Sequence, residues 1–279
     1  MKTLAIVLLL AAPAFAADPE LLKLAMPEAR LVAGIDVAAV KGTPFGRFAL
    51  GQLTAAQDPQ YDAFVKASGF DPAQSLDEIV TALGECRLVL ARGRFDTARI
   101  LDAARAAGAG VSAYQGVDML ISPDIWLAFV NGSIVALGDP ACVRALVERR
   151  QKGGGLPAAT AARIDVLSKA YPLWFLSTMP VAELISALPI EGGGDALKNG
   201  ALESVRAASG GVTFSDPVRL SAELTAASPE DASKLAALLK FVGGATAQGP
   251  VDVSAEGSVV RLGLAFSETQ LEALVKQAQ

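Results

Sequence analysis

The chain has 279 residues, with 24 Lys and Arg against 29 Asp and Glu and a net charge of −5. Hydrophobic residues make up 52% and charged residues 19%, enough for a core and unlike a disordered chain. Histidine is absent, which excludes the Ser-His-Asp triad, Cys-His dyads, HExxH zinc sites and haem ligation by His. An acidic chain with three Tyr and two Trp also lacks the basic footprint that nucleic acid requires.

The chain opens with Met1-Lys2-Thr3, a short apolar run from Leu4 to Ala12, and Ala14-Phe15-Ala16. A positive start, an apolar stretch too short to span a bilayer and a small-x-small end form the pattern of a secretory signal peptide. Residues 1–16 are therefore expected to be a leader, and the mature chain to begin Ala17-Asp18-Pro19 in the periplasm or medium. The most apolar later stretch, Gly116 to Gly138, is broken by Asp118, Pro123, Asp124 and Asn131. It predicts no transmembrane span.

Leu31 to Val40 reads as an apolar strand running into a helix. Glu78–Leu83 and Cys86–Phe95 form a predicted hairpin, and Asp96 caps a helix from Thr97 to Ala107. An extra pair of strands, Val111 to Ser122, follows. Asn131-Gly132 then marks a tight hairpin turn, and Asp139-Pro140 opens another helix. Gly153-Gly154-Gly155-Leu156-Pro157 is a punctuated linker, and Ala158 to Ala170 a helix bridging two halves.

The later half repeats these blocks. Trp174 to Leu184 matches the first strand and its helix. Arg219, Ser221, Glu223 and Thr225 alternate with Leu220, Ala222, Leu224 and Ala226, the period of an antiparallel strand with one wet face. Ser215-Asp216-Pro217 turns it back on Glu203–Phe214. Ser228-Pro229-Glu230-Asp231 opens a helix to about Phe241, with cap, Pro and acids in their favoured places. Gly192-Gly193-Gly194 is a loop within this copy. Val251–Glu256 and Ser258–Phe266 form the last hairpin, and Ser267 to Gln270 is a capping box before the apolar stripe Leu271, Leu274 and Val275.

Three matched blocks in one order predict a duplication. The expected fold class is α+β: two tandem β-α-β-β-α-β-β-α units of the ferredoxin-like, split βαβ kind. Their antiparallel sheets would be covered by helices. The expected divisions are a leader at 1–16, a first repeat at 17–152, linker and bridging helix at 153–170, and a second repeat at 171–279. With helices on one layer of each sheet, the other face must be covered by the opposite half or by a partner.

Chemistry-bearing motifs are sparse. Cys86 and Cys142 are open to three readings: a disulfide between hairpin strand and helix, two buried thiols, or a reactive Cys142 at a helix N-terminus. No Cys-x-x-Cys, Gly-x-Ser-x-Gly or Ser-x-x-Lys occurs, and neither glycine cluster is a Walker loop or dinucleotide fingerprint. Asp36 is matched by Pro180 in the second copy, so the repeat does not demand a carboxylate there. Glu223 sits on a wet strand face. No metal or cofactor is expected. Arg92 and Arg94 share a strand face beside the Asp96-capped helix, an arrangement that could bind an anion. Asn131-Gly132-Ser133 fits the glycosylation pattern and equally a tight turn.

Pro27 with Leu31 to Asp36, Gly69-Phe70-Asp71-Pro72 and Gly93-Arg94-Phe95-Asp96 resemble motifs of uncharacterised exported bacterial proteins with duplicated α/β units. That resemblance implies a secreted, non-enzymatic protein. The functional expectation is an exported binding or scaffold module that recognises a protein or peptide through an open sheet face. The alternative is a hydrolase that works without a motif, through carboxylates or Cys142.

Overall fold

The computed structural model describes residues 16–48, 59–180, 183, 200–246 and 251–270. The leader up to residue 15, the Gly192–Gly194 loop and the stripe Leu271, Leu274 and Val275 lie outside the described residues.

Local signals set the elements. Asp18 caps α1 (Pro19–Leu24) through Glu20 N–H, and Asp36, ending β1 (Leu31–Asp36), caps α2 (Val37–Lys41) through Ala39 N–H. Then come α3 (Pro59–Ser68), the Asp71-capped turn α4 (Pro72–Ser75), and the hairpin β2 (Leu76–Leu83) and β3 (Arg87–Gly93). Asp96 caps α5 (Thr97–Ala106) through Arg99 N–H. The inserted pair is β4 (Gly110–Tyr114) and β5 (Val117–Ile121), and Asn131-Gly132 turns β6 (Trp126–Asn131) into β7 (Ile134–Gly138). After these stand α6 (Pro140–Lys152), the bridging α7 (Ala158–Ala170) and β8 (Leu173–Ser177).

The second half adds α8 (Gly200–Glu203), the hairpin β9 (Val205–Thr213) and β10 (Val218–Ala226), α9 (Pro229–Thr246), and the hairpin β11 (Val251–Glu256) and β12 (Val259–Phe266). Ser267 and Gln270 bond reciprocally at 2.8 and 3.3 Å, the expected capping box.

Among the described residues the twelve strands form one sheet, in the order β11-β12-β10-β9-β8-β1-β2-β3-β7-β6-β5-β4. This corrects two expectations. A split βαβ unit has a parallel pair at its centre, whereas every ladder here is antiparallel. The chain returning from β1 lands beside it as β2, where a split βαβ unit would leave a strand position between the two; the skips come later, from β3 to the far edge at β4 and from β10 past β12 to β11. Nor are there two separate sheets: β1 and β8 pair from Leu31↔Ser177 to Ile35↔Leu173, closing the halves edge to edge. The fold is α+β with a large antiparallel sheet. Outward from the β1–β8 seam the strand order is β1-β2-β3-β7-β6 on one side and β8-β9-β10-β12-β11 on the other.

Residues opposite one another in register share a face. One row runs Met119, Ala128, Ala136, Leu90, Val80, Gly34, Trp174, Gly211, Ser221, Gly263, Asp252. Its first-half members join the main core, covered by Leu21, Leu22 and Leu24 of α1, Val143, Leu146 and Val147 of α6, and Ile164 and Leu167 of α7. Gly34 is required here, because a Cβ would fall inside the Trp174 indole, which is 2% exposed. The opposite face is covered by Ile100 and Leu101 of α5 in one half and by Ala232, Leu235 and Ala236 of α9 in the other. Among the described residues no helix is long and apolar enough to cross a membrane.

Candidate functional site

On the face that carries the main core, the described helices stop at α7. Beyond it, the sheet of the second half floors an open groove of about 770 Å3. Its walls come from Arg163, Val166 and Tyr171 at α7, and its floor from Ser209, Ser221, Glu223, Asp252, Arg261 and Gly263. The strand pattern dictates this floor. The wet positions of β10, Ser221 and Glu223, lie opposite Gly263 and Arg261 of β12, which in turn oppose Asp252 and Ser254 of β11.

A chain of ion pairs crosses the groove. Arg163 Nη2 donates to Glu223 Oε2 at 2.9 Å and to Ser209 Oγ at 3.2 Å. Arg261 Nε donates to Glu223 Oε1 at 3.2 Å, and its Nη1 to Glu256 Oε2 at 2.9 Å. The hydrogen bond to Glu256, then that to Glu223, raises the Arg261 pKa above its ordinary value. Glu223 therefore has a guanidinium on each oxygen and is held rather than merely solvated. Val166 stands 64% exposed on the wall, an apolar contact point beside fixed charges. Small floor residues leave room for a chain to lie close to the sheet, and fixed donors and acceptors can orient it.

The other sequence-predicted residues lie elsewhere. Arg92 on β3 is engaged by Asp18 and by Glu20, the latter at 2.6 Å. Burial works against its cation, but the hydrogen bond to Glu20 and the charge of Asp18 carry its pKa above the ordinary value. Arg94 donates to the Gln74 carbonyl at 2.8 Å. The expected anion thus meets, at Arg92, the chain's own carboxylates. Cys86 and Cys142 form a disulfide with Cα atoms 6.3 Å apart, and both sulfurs touch the Met26 thioether. Cys142, bonded and 4% exposed, presents no thiolate. Asp139 leaves its helix uncapped and instead accepts from Arg87 N–H at 2.7 Å.

Sequence reasoning missed Arg163, Asp252 and Arg261. Arg261 was within reach, since it alternates with Val260 and Leu262 and follows the Glu256-Gly257 turn. Arg163 carries no such signal, because only the packing of α7 brings it to Glu223.

No family model matches the chain, and no curated protein matches it. Its fold is similar to that of TP0453 in three crystal forms. Form III has a TM-score of 0.63 at 10% identity, covering 94% of this chain and 99% of that one. Form IV gives 0.60 at 11%, covering 91% and 95%, and form I gives 0.57 at 9%, covering 92% and 96%. At such identities the likeness is one of fold, extending over almost the whole of both chains.

Proposed function

We propose that this protein is an exported envelope module that holds a segment of a protein or peptide, without catalysis, in the groove on the second half of its sheet. The observation that carries this reading is the change of character along one sheet face: apolar and covered up to α7, polar and uncovered by the described residues beyond it. A floor of Ser209, Ser221 and Gly263, flanked by the Arg163–Glu223–Arg261 chain, suits an extended backbone with polar and charged side chains. Export is supported by the leader pattern at residues 1–16 and by a disulfide, which persists in oxidising compartments. The matching strand order on the two sides of the seam supports an internal duplication, in which β4 and β5 are an insertion.

The test is selection of displayed random dodecapeptides on the immobilised protein. Selected peptides should lose affinity about tenfold or more when Ser221→Trp fills the groove, and keep it when Lys240→Trp alters exposed α9. Recovery of no binding peptide, or of peptides indifferent to Ser221→Trp, would overturn the reading.

A further inference from the structure

The start of the mature chain is built into the fold. Ala16 is exposed, but Ala17 is 7% exposed, and its backbone nitrogen donates to Ser168 Oγ on α7 at 2.9 Å in a buried setting. The next nitrogen, that of Asp18, donates to both carboxylate oxygens of Glu78 on β2, at 3.1 and 3.2 Å. Successive backbone nitrogens lie at most about 3.7 Å apart. The Ala17 nitrogen is therefore within about 7 Å of the Glu78 carboxylate.

Glu78 lacks a counter-charge of its own. Facing it are Asp18 at the start of α1, Asp36 across the β1 ladder and Arg92 on β3. The first two are like charges, and Arg92 spends its hydrogen bonds on Asp18 and Glu20. On α7, Lys169 is engaged by Asp165 at 2.6 Å. Burial accordingly raises the Glu78 pKa from 4.5 to about 7, against the pull of the Asp18 N–H, with Asp18 and Asp36 adding to the rise.

We propose that cleavage after Ala16 completes this site: the ammonium released on Ala17 stays between Ser168 and Glu78 and serves as the counter-ion of Glu78. The proposal rests on the export reading above. A leader peptidase adds water across the Ala16–Ala17 amide. Ala16 departs with the new carboxylate, and Ala17 keeps an amine that is protonated at neutral pH. A neutral N–H donor thus becomes a cation in the same place, and its bond to Ser168 becomes charge-assisted. The precursor, or a chain extended by one residue, has its charge elsewhere.

The consequence is a difference in pH dependence. In an extended chain the folded state binds the Glu78 proton more tightly than the unfolded state does. Stability is then full below pH 4.5 and is lost as pH rises through about 7. In the chain beginning at Ala17 that loss disappears. In its place a loss sets in above about pH 8, where the terminal amine deprotonates.

The experiment compares the chain starting at Ala17 with the charge-matched chain starting at Ala16. Melting temperature should fall between about pH 5 and pH 7.5 only for the Ala16 start, and Glu78→Gln should make the two profiles coincide. Because that variant could unfold, the Glu78 carboxyl carbon is also titrated by NMR in both unmutated chains. Its midpoint should be about 7 for the Ala16 start and return to the ordinary carboxylate range for the Ala17 start. Coincident profiles and midpoints would overturn the proposal. The mass of the protein recovered from the periplasm judges the export reading separately. Absence of the protein from the periplasm overturns that reading and the proposal with it, whereas a periplasmic chain that starts elsewhere than Ala17, or an Ala17 terminus with coincident profiles, overturns the proposal alone.

Discussion

Two ends of the same sheet face have opposite fates. Val80, Leu90, Ala128 and Ala136 lie under three helices in the first half, while Ser221, Gly263 and Asp252, on the same row across the β1–β8 seam, line an open groove. Backbone geometry is shared, so side-chain chemistry decides the difference. An apolar row must be covered, at about 25 cal/mol per Å2 of apolar surface removed from water. A row of Ser, Gly and Asp gains little from cover and is free to meet a ligand. Similar strand order in two halves therefore does not imply similar use: one half serves as a foundation and the other presents a surface.

The largest expected effect tests whether the covered half is the foundation. The Cys86–Cys142 bond spans a sequence separation of 56 and ties the β2–β3 turn to α6 at the main core. Replacing both cysteines by Ser should cost about 4 kcal/mol on loop-entropy grounds, read as a lowered melting temperature. An unchanged melting temperature would deny the disulfide its place in that core.

Paired substitutions on one row sharpen the contrast. Leu90→Ala should cost about 3 kcal/mol, since Leu90 is fully buried, against less than about 0.5 kcal/mol for Ser221→Ala on the groove floor. Gly34→Ala drives a methyl into the Trp174 ring and should cost about 1–3 kcal/mol. At Gly263 a Cβ would meet nothing nearer than Asp252 Cβ at 3.6 Å, so Gly263→Ala should stay within about 0.5 kcal/mol. Denaturant unfolding measures all four, and equal costs across the seam would break the comparison.

A small effect on stability is expected at Glu223 as well. Its pairs with Arg163 and Arg261 are about half exposed, so Glu223→Gln should cost no more than about 1 kcal/mol. Its effect on the affinity of groove-selected peptides should be far larger, because the two guanidiniums lose their anchor. A large stability loss with unchanged peptide affinity would make Glu223 a structural residue instead.

Much of the local structure was legible. The alternation from Arg219 to Ala226, the Asn131-Gly132 turn, the Asp96 cap and the Ser267–Gln270 box each act within a few residues, and each is found in the fold. Strand order was not legible, because pairing is non-local. β8, Leu173 to Ser177, is apolar on both faces and carries no period-two signal to name its neighbours. Its place against β1 therefore went unread, and with it the single sheet. The groove was half legible: Glu223 marked a wet face, but its clamp needed α7 to bring Arg163 across it. Arg92 and Arg94 suggested an anion site because the sequence gives no hint that Asp18 and Glu20 fold back onto β3.

The most direct test of the central claim is site-specific photo-crosslinking in the envelope of living cells. A benzophenone side chain is placed at Val166 on the groove wall or Ser254 beside its floor, or at Lys240 on α9 over the other face. A discrete protein adduct is expected from positions 166 and 254 that vanishes with Arg261→Glu, and none from position 240. Adducts from position 240 alone, or groove adducts indifferent to Arg261→Glu, would contradict it.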